Sequence, residues 1–117
     1  MVKVLFYMDI DAMNFLFICS KNQWRSPTAE AVYRRGSRIN VRSAGTSTKA
    51  KRSVSLKDIA WADMIFVMEK KHKQILSRQF PHDIGQTEVI ILDIPDEYQF
   101  MDGELVELLK DGVERYI

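Results

Sequence analysis

The chain has 117 residues, 46% of them hydrophobic, which suits one domain with a real core. Seventeen basic residues against 16 acidic ones leave no global charge excess of the kind that marks nucleic-acid binding. One cysteine has no disulfide partner within the chain and suits a reducing compartment, and no apolar run reaches the roughly 18 residues of a membrane span.

Residues 1–12 read as an N-terminal extension. Val2 to Tyr7 has the pattern of an extra edge strand, while Asp9 and Asp11 interrupt the apolar run that a secretory signal would need, so the cytoplasm is the expected location. No function is assigned to this stretch. Phe15-Leu16-Phe17-Ile18 then reads as a buried strand, followed by Cys19 and a helix that starts at Pro27, capped by Ser26 and stopped by Gly36 after Arg35. A short strand at Asn40 to Ser43 leads into a basic, serine-rich loop that ends near Ser53. Ser55-Leu56-Lys57-Asp58 has the spacing of a capping box and opens another short helix.

Met64 to Met68 reads as a fully buried strand, and Lys70 to Phe80 as a helix stopped by Pro81, with Ile75, Leu76 and Phe80 turned inward. Glu88 to Leu92 is the last strand. Leu105, Leu108, Leu109, Gly112, Val113 and Tyr116 recur at helical spacing, and Asp102 stands where that helix needs a cap. Strands alternating with helices predict an α/β domain with a parallel sheet and right-handed crossovers.

The chemistry concentrates at Cys19-Ser20-Lys21-Asn22-Gln23-Trp24-Arg25-Ser26-Pro27. A cysteine at the end of an apolar strand is ordinarily a small core residue. Here it stands before a helix N-terminus, where unpaired amides and the positive end of the helix dipole favour anions. Cysteine, arginine and serine at these spacings coincide by chance in roughly one chain in several hundred. Five intervening residues let the loop curl so that its amides, from Ser20 to Ser26, face a phosphate, and the planar fork of Arg25 matches two phosphate oxygens. In such a setting a thiol ionises more readily than in free solution, and Cys19 becomes a nucleophile. Ser26 is placed to donate to the sulfur. Asn22 is a residue type that tolerates the left-handed backbone of a tight loop.

At these residues the chain resembles the low-molecular-weight protein tyrosine phosphatases. The resemblance runs from Asn14 to about Leu109 and includes Ala29 to Tyr33, Val41-Arg42-Ser43-Ala44-Gly45-Thr46 and Ala62 to Met68. It implies one phosphatase-like domain over residues 13–117, with a four-stranded parallel sheet in the order 2-1-3-4 and helices on both faces. It also implies a phosphomonoester hydrolase, with phosphotyrosine protein or a small phosphomonoester as substrate. The reaction would run through a cysteinyl-phosphate, without metal or cofactor. Roles pass to Cys19, Asn22, Arg25 and Ser26, and to Ser43 as a supporting partner of Asn22.

Expelling the leaving alkoxide or phenoxide needs a proton, and a positioned acid contributes roughly 10²- to 10⁴-fold. The family carries its acid in an Asp-Pro-Tyr segment. Asp96-Glu97-Tyr98 matches it with glutamate in place of proline, so Asp96 is the expected acid, ahead of Asp93, Glu97 and Asp102.

The loop departs from the family elsewhere. Ser20 and Gln23 are polar, Lys21 replaces a glycine, and Trp24 replaces a second cysteine and is expected to pack beneath the loop, leaving Tyr98 as the aromatic wall. The rim from Ser47 to Arg52 is basic and reads first as a solvated charge run. His72 and His82 form no metal-ligand pattern and are expected near solvent. Two alternatives stand beside hydrolysis. One is a non-catalytic phosphate-binding module. The other is a thiol-dependent oxyanion reductase, disfavoured because its relay needs cysteines that this chain lacks.

Overall fold

The computed structural model describes residues 12–34 and 38–117. The edge strand expected within the N-terminal extension, and the stop of the first helix at Gly36, lie outside the described residues.

Four strands, β1 (Met13–Cys19), β2 (Ile39–Gly45), β3 (Met64–Val67) and β4 (Glu88–Ile91), form one parallel sheet in the order β2-β1-β3-β4. Four helices join and follow them: α1 (Arg25–Arg34), α2 (Leu56–Trp61), α3 (Lys70–Gln79) and α4 (Gly103–Val113), the last running into a 3₁₀ turn at Glu114–Tyr116. The expected order and architecture are both present.

The two-residue period of a strand sorts the core into two layers. Phe15, Phe17 and Cys19 of β1 and Met64 and Phe66 of β3 face α1 and α4, meeting Ala29, Tyr33, Leu105, Leu109 and Val113. Leu16, Ile18, Ile65 and Val67 face the other way, onto Ile59 of α2 and Leu76 of α3. Because both faces are covered, β1 and β3 read as continuous apolar runs rather than alternating ones. Phe66 lies between Phe15 and Phe17, with ring centroids 4.9 and 5.2 Å away, which ties the two central strands together beneath the loop.

The strand ends and caps follow local chemistry. The Ser55–Asp58 capping box forms, and Asp102 accepts from the Glu104 amide at the start of α4. Asp58 is fully buried and pairs with both Arg42 and Arg52. Arg52 also donates to the Ser43 carbonyl at 2.8 Å, so part of the basic rim is structural rather than a free charge run.

The expected start of α1 needs correction. The helix begins at Arg25, two residues before Pro27, and Ser26 lies inside it rather than capping it. Its hydroxyl lies 3.0 Å from the Cys19 sulfur instead.

Candidate active site

Central strand β1 ends at Cys19, whose neighbours β2 and β3 put its sulfur at the carboxyl edge of the sheet, where open parallel sheets bind ligands. The loop from Ser20 to Trp24 then turns back into α1. Its curl is set from outside: Thr46, Ser47 and Lys51 donate their amides to the carbonyls of Cys19, Ser20 and Lys21 at 2.9–3.0 Å. Since carbonyl and amide point in opposite directions across a planar trans peptide, the amides of Ser20, Lys21 and Asn22 are turned inward. The approach is so close that a Cβ on Gly45 would lie 2.6 Å from the Ser20 carbonyl oxygen and 2.9 Å from the Asn22 nitrogen. Only glycine fits there.

Asn22 adopts φ 52°, the left-handed conformation expected of it. Its buried amide donates to Ser26 Oγ at 3.0 Å and to Ser43 Oγ at 2.9 Å. Ser43 in turn donates to Glu30 at 2.5 Å. The direction of these bonds matters. Ser26 accepts from Asn22, so its own proton is available to the Cys19 sulfur 3.0 Å away, with the Ala44 carbonyl at 3.4 Å as the more distant alternative acceptor, and a thiolate can only accept.

Arg25 is buried to 2% exposure. Its Nη1 donates to Glu69 at 2.5 Å and to the Ile94 carbonyl at 2.8 Å, while Nε lies 3.7 Å from Asp96 Oδ1. With Nη1 committed, Nε, beside Asp96, and Nη2 form the remaining edge of the fork. Burial alone would push the Glu69 carboxyl up, but the hydrogen bond and charge of Arg25, with the charge of Lys71, hold it below the ordinary carboxylate value.

Cys19, Ser20, Lys21, Gln23, Trp24, Arg25 and Asp96 line a single pocket of about 170 Å³. Asp96 is the carboxylate brought to it. Asp93 is exposed, with φ 61°, and Asp93, Glu97 and Asp102 do not line the pocket. Between Asp93 and Asp96, Ile94 is 1% exposed and its amide donates to the Met68 carbonyl, so a core side chain anchors the acidic loop while its carbonyl holds Arg25.

Three expectations about side chains are overturned. Trp24 does not pack beneath the loop; it is 38% exposed and forms the aromatic wall of the pocket. Tyr98 does not line the pocket, because its ring packs partly on the core and its hydroxyl donates to Glu104 at 2.6 Å. His72 is not near solvent but fully buried, with Nδ1 accepting from the Glu69 amide at 3.0 Å and Nε2 2.9 Å from Ser20 Oγ. Burial, reinforced by Arg25, lowers its pKa to about 4, so the imidazole is neutral and its proton belongs on Nε2, facing Ser20.

His72, Glu69, Ile94 and Gly45 thus join the site without any catalytic motif to announce them. The signal available for the first two was their three-residue spacing at a helix start, in which His72 reaches back to the Glu69 amide. Among the described residues no three His, Cys, Asp or Glu side chains converge as a metal site would require.

No family model matches the chain. A curated protein from Bacillus subtilis strain 168, a protein-arginine-phosphatase, is 33% identical over a segment covering 58% of this chain. The chain spans 63% of that relative's length. A solved cysteine-to-serine mutant of the YwlE arginine phosphatase, bearing a phosphorylated active-site serine, superposes with TM-score 0.69 at 25% identity, covering 88% of this chain and 95% of the other. In fold the chain resembles the low-molecular-weight protein tyrosine phosphatases. A further likeness of fold is to the tyrosine phosphatase Wzb from Escherichia coli K30 in complex with phosphate, with TM-score 0.70 at 23% identity, covering 90% of this chain and 96% of that one. The loop keeps the cysteine, asparagine, arginine and serine that the resemblance leads one to expect, and within the loop it departs at Ser20, Lys21, Gln23 and Trp24.

Proposed function

We propose that this protein hydrolyses phosphomonoesters on proteins through a cysteinyl-phosphate intermediate. The observation that carries the reading is the convergence of four groups. Cys19 Sγ, held 3.0 Å from the Ser26 hydroxyl, shares one small pocket with the Arg25 fork and the Asp96 carboxyl.

In the first step the Cys19 thiolate attacks phosphorus from the floor of the pocket and the bond from phosphorus to the leaving oxygen breaks. Asp96 gives that oxygen its proton. The inward amides of the loop and the remaining edge of Arg25 take the equatorial oxygens and stabilise the charge that builds on them. In the second step Asp96, now a carboxylate, takes a proton from water as the water oxygen bonds to phosphorus. The sulfur–phosphorus bond breaks, the electron pair returns to sulfur, and Ser26 stabilises the anion that leaves. No part of this cycle requires a cofactor.

Phosphotyrosine is the first substrate reading, because the exposed face of Trp24 offers a phenyl ring a flat wall. A second reading is phosphoarginine on proteins. It is supported by the curated relative's activity and by Gln23 and Asp96 in the pocket wall, which suit a guanidinium better than a hydrocarbon ring. A purely phosphate-binding module would have no use for the acid beside the arginine, and a reductase relay has no second cysteine on which to run.

The test is release of phosphate from a chromogenic aryl phosphate, and from phosphotyrosine and phosphoarginine peptides side by side. Cys19→Ser is expected to abolish turnover of all three while leaving phosphate affinity measurable. Turnover at the wild-type rate by the serine protein would refute the reading.

A further inference from the structure

A second depression borders the same loop. Gln23 and Trp24, which line the catalytic pocket, also line a groove of about 460 Å³, with Pro27, Lys51 and Phe100 forming much of the remainder. Trp24 is 38% exposed and Phe100 53%, and neither belongs to the two apolar clusters that hold the fold together. Two large aromatic side chains left in water at one groove, beside a catalytic pocket, mark a binding surface rather than a folding requirement.

The groove is a built feature. Thr28 Oγ1 donates to the Trp24 carbonyl at 2.7 Å and accepts from the Met101 amide at 2.9 Å, so one side chain of α1 ties the backbone beside Phe100 to that of Trp24. Its electrostatics are one-sided. Glu30, the carboxylate in its lining, is already taken by Ser43 and by Arg34. Lys51, whose amide donates to the Lys21 carbonyl at 3.0 Å, has no ion-pair partner among the described residues. An occupant therefore meets aromatic surface on one side and uncompensated positive charge on another.

We propose that this groove is a second binding site of the phosphatase, occupied by the stretch of a phosphoprotein substrate next to its phosphorylated residue, with an apolar side chain against Trp24 and Phe100 and an acidic one against Lys51. The inference rests on the hydrolase reading and deepens it to a class of substrate sequence. Binding energy from such a remote contact raises kcat/KM for the right sequence without touching the chemistry at sulfur.

The test uses two peptides with the same phosphorylated residue, tyrosine or arginine, whichever the wild type cleaves faster. One is flanked by leucine and glutamate, the other by glycine and serine, and a small aryl phosphate serves as reference. The wild type is expected to prefer the first peptide by about tenfold in kcat/KM; Phe100→Ala should reduce that preference by about fivefold with the aryl phosphate unaffected, and Lys51→Glu should reduce it by a similar factor over and above any loss on the aryl phosphate. Equal treatment of the two peptides by the wild type overturns the groove, as does an equal loss on peptide and aryl phosphate in both variants. Calorimetric titration of the Cys19→Ser protein with the same peptides separates the two readings. A binding preference lost in the Phe100→Ala double variant, with no turnover of any substrate by the wild type, sinks hydrolysis and sustains the groove. Identical affinities for the two peptides sink the groove whatever the turnover.

Discussion

Asn22 carries both the shape of the loop and its wiring, and the two contributions can be measured apart. Replacing it with alanine removes two buried hydrogen bonds, of 3.0 Å to Ser26 and 2.9 Å to Ser43, each worth about 1 kcal/mol net. It also forces a Cβ-bearing residue without a local polar partner to hold φ 52°, which costs about 1 kcal/mol more. The expected loss is about 3 kcal/mol, a large part of the ~5–15 kcal/mol that holds a domain together. With a urea dependence of about 1.5 kcal/mol per molar, the unfolding midpoint should fall by about 2 M.

Asn22→Gly loses the same hydrogen bonds but not the freedom to adopt positive φ, so it should be more stable than the alanine protein by about 1 kcal/mol. Urea titration of the three proteins reads this difference directly. Both variants should turn over the aryl phosphate about tenfold more slowly, because nothing then directs the Ser26 proton to sulfur. An alanine protein as stable as the glycine one would refute the strain argument, and wild-type turnover by either would refute the wiring.

Three other outcomes are expected. Asp96→Asn should lower kcat by about 10²-fold or more on a phenyl phosphate with a poor leaving group, and much less on a nitrophenyl phosphate with a good one; equal losses would remove Asp96 from the acid role. His72 has a folded-state pKa of about 4 against 6.5 unfolded, so between those values the unfolded chain binds a proton that the folded protein refuses. Its stabilising effect is therefore complete above pH 6.5 and declines as the pH falls towards 4. Relative to His72→Asn, the wild-type advantage in urea midpoint should shrink by the equivalent of about 2–3 kcal/mol between pH 7 and 4.5, and a constant gap would contradict burial of a neutral imidazole. Asp58→Ala strips two arginines and the α2 capping box of their shared carboxylate, and should cost about 2–3 kcal/mol in thermal or urea unfolding, while kcat on the aryl phosphate changes little.

Much of this site was legible because its parts are close in the chain. Cys19, Asn22, Arg25 and Ser26 lie within eight residues, and a strand before them and a helix after them are local patterns. Asp96 was one of several acids marked by their place after the last strand, and the resemblance of Asp96-Glu97-Tyr98 to an Asp-Pro-Tyr segment chose it among them. Trp24 was not, because whether an indole faces inward or outward depends on the space beneath the loop. Segment 46–51 and Ser43 already occupy that space. His72 looked like an ordinary polar residue in a basic helix start, since nothing within ten residues of it reveals that Ser20, 52 positions away, will lie 2.9 Å from its ring. Tyr98 was drawn off by Glu104, a partner in the first turn of the next helix.

The amino-acid order by itself pointed to Cys19, Arg25, Ser26 and Asn22 as a candidate site, and determined the alternation of elements and hence the parallel sheet. All of these follow from periodicity and short-range spacing, which survive without any knowledge of contacts. Only the tertiary structure decided which aromatic walls the pocket, which carboxylate orients the arginine, why residue 45 has no side chain and which histidine lies neutral beneath the loop. These depend on distances between segments far apart in sequence, and burial and electrostatics follow from those distances rather than from residue type.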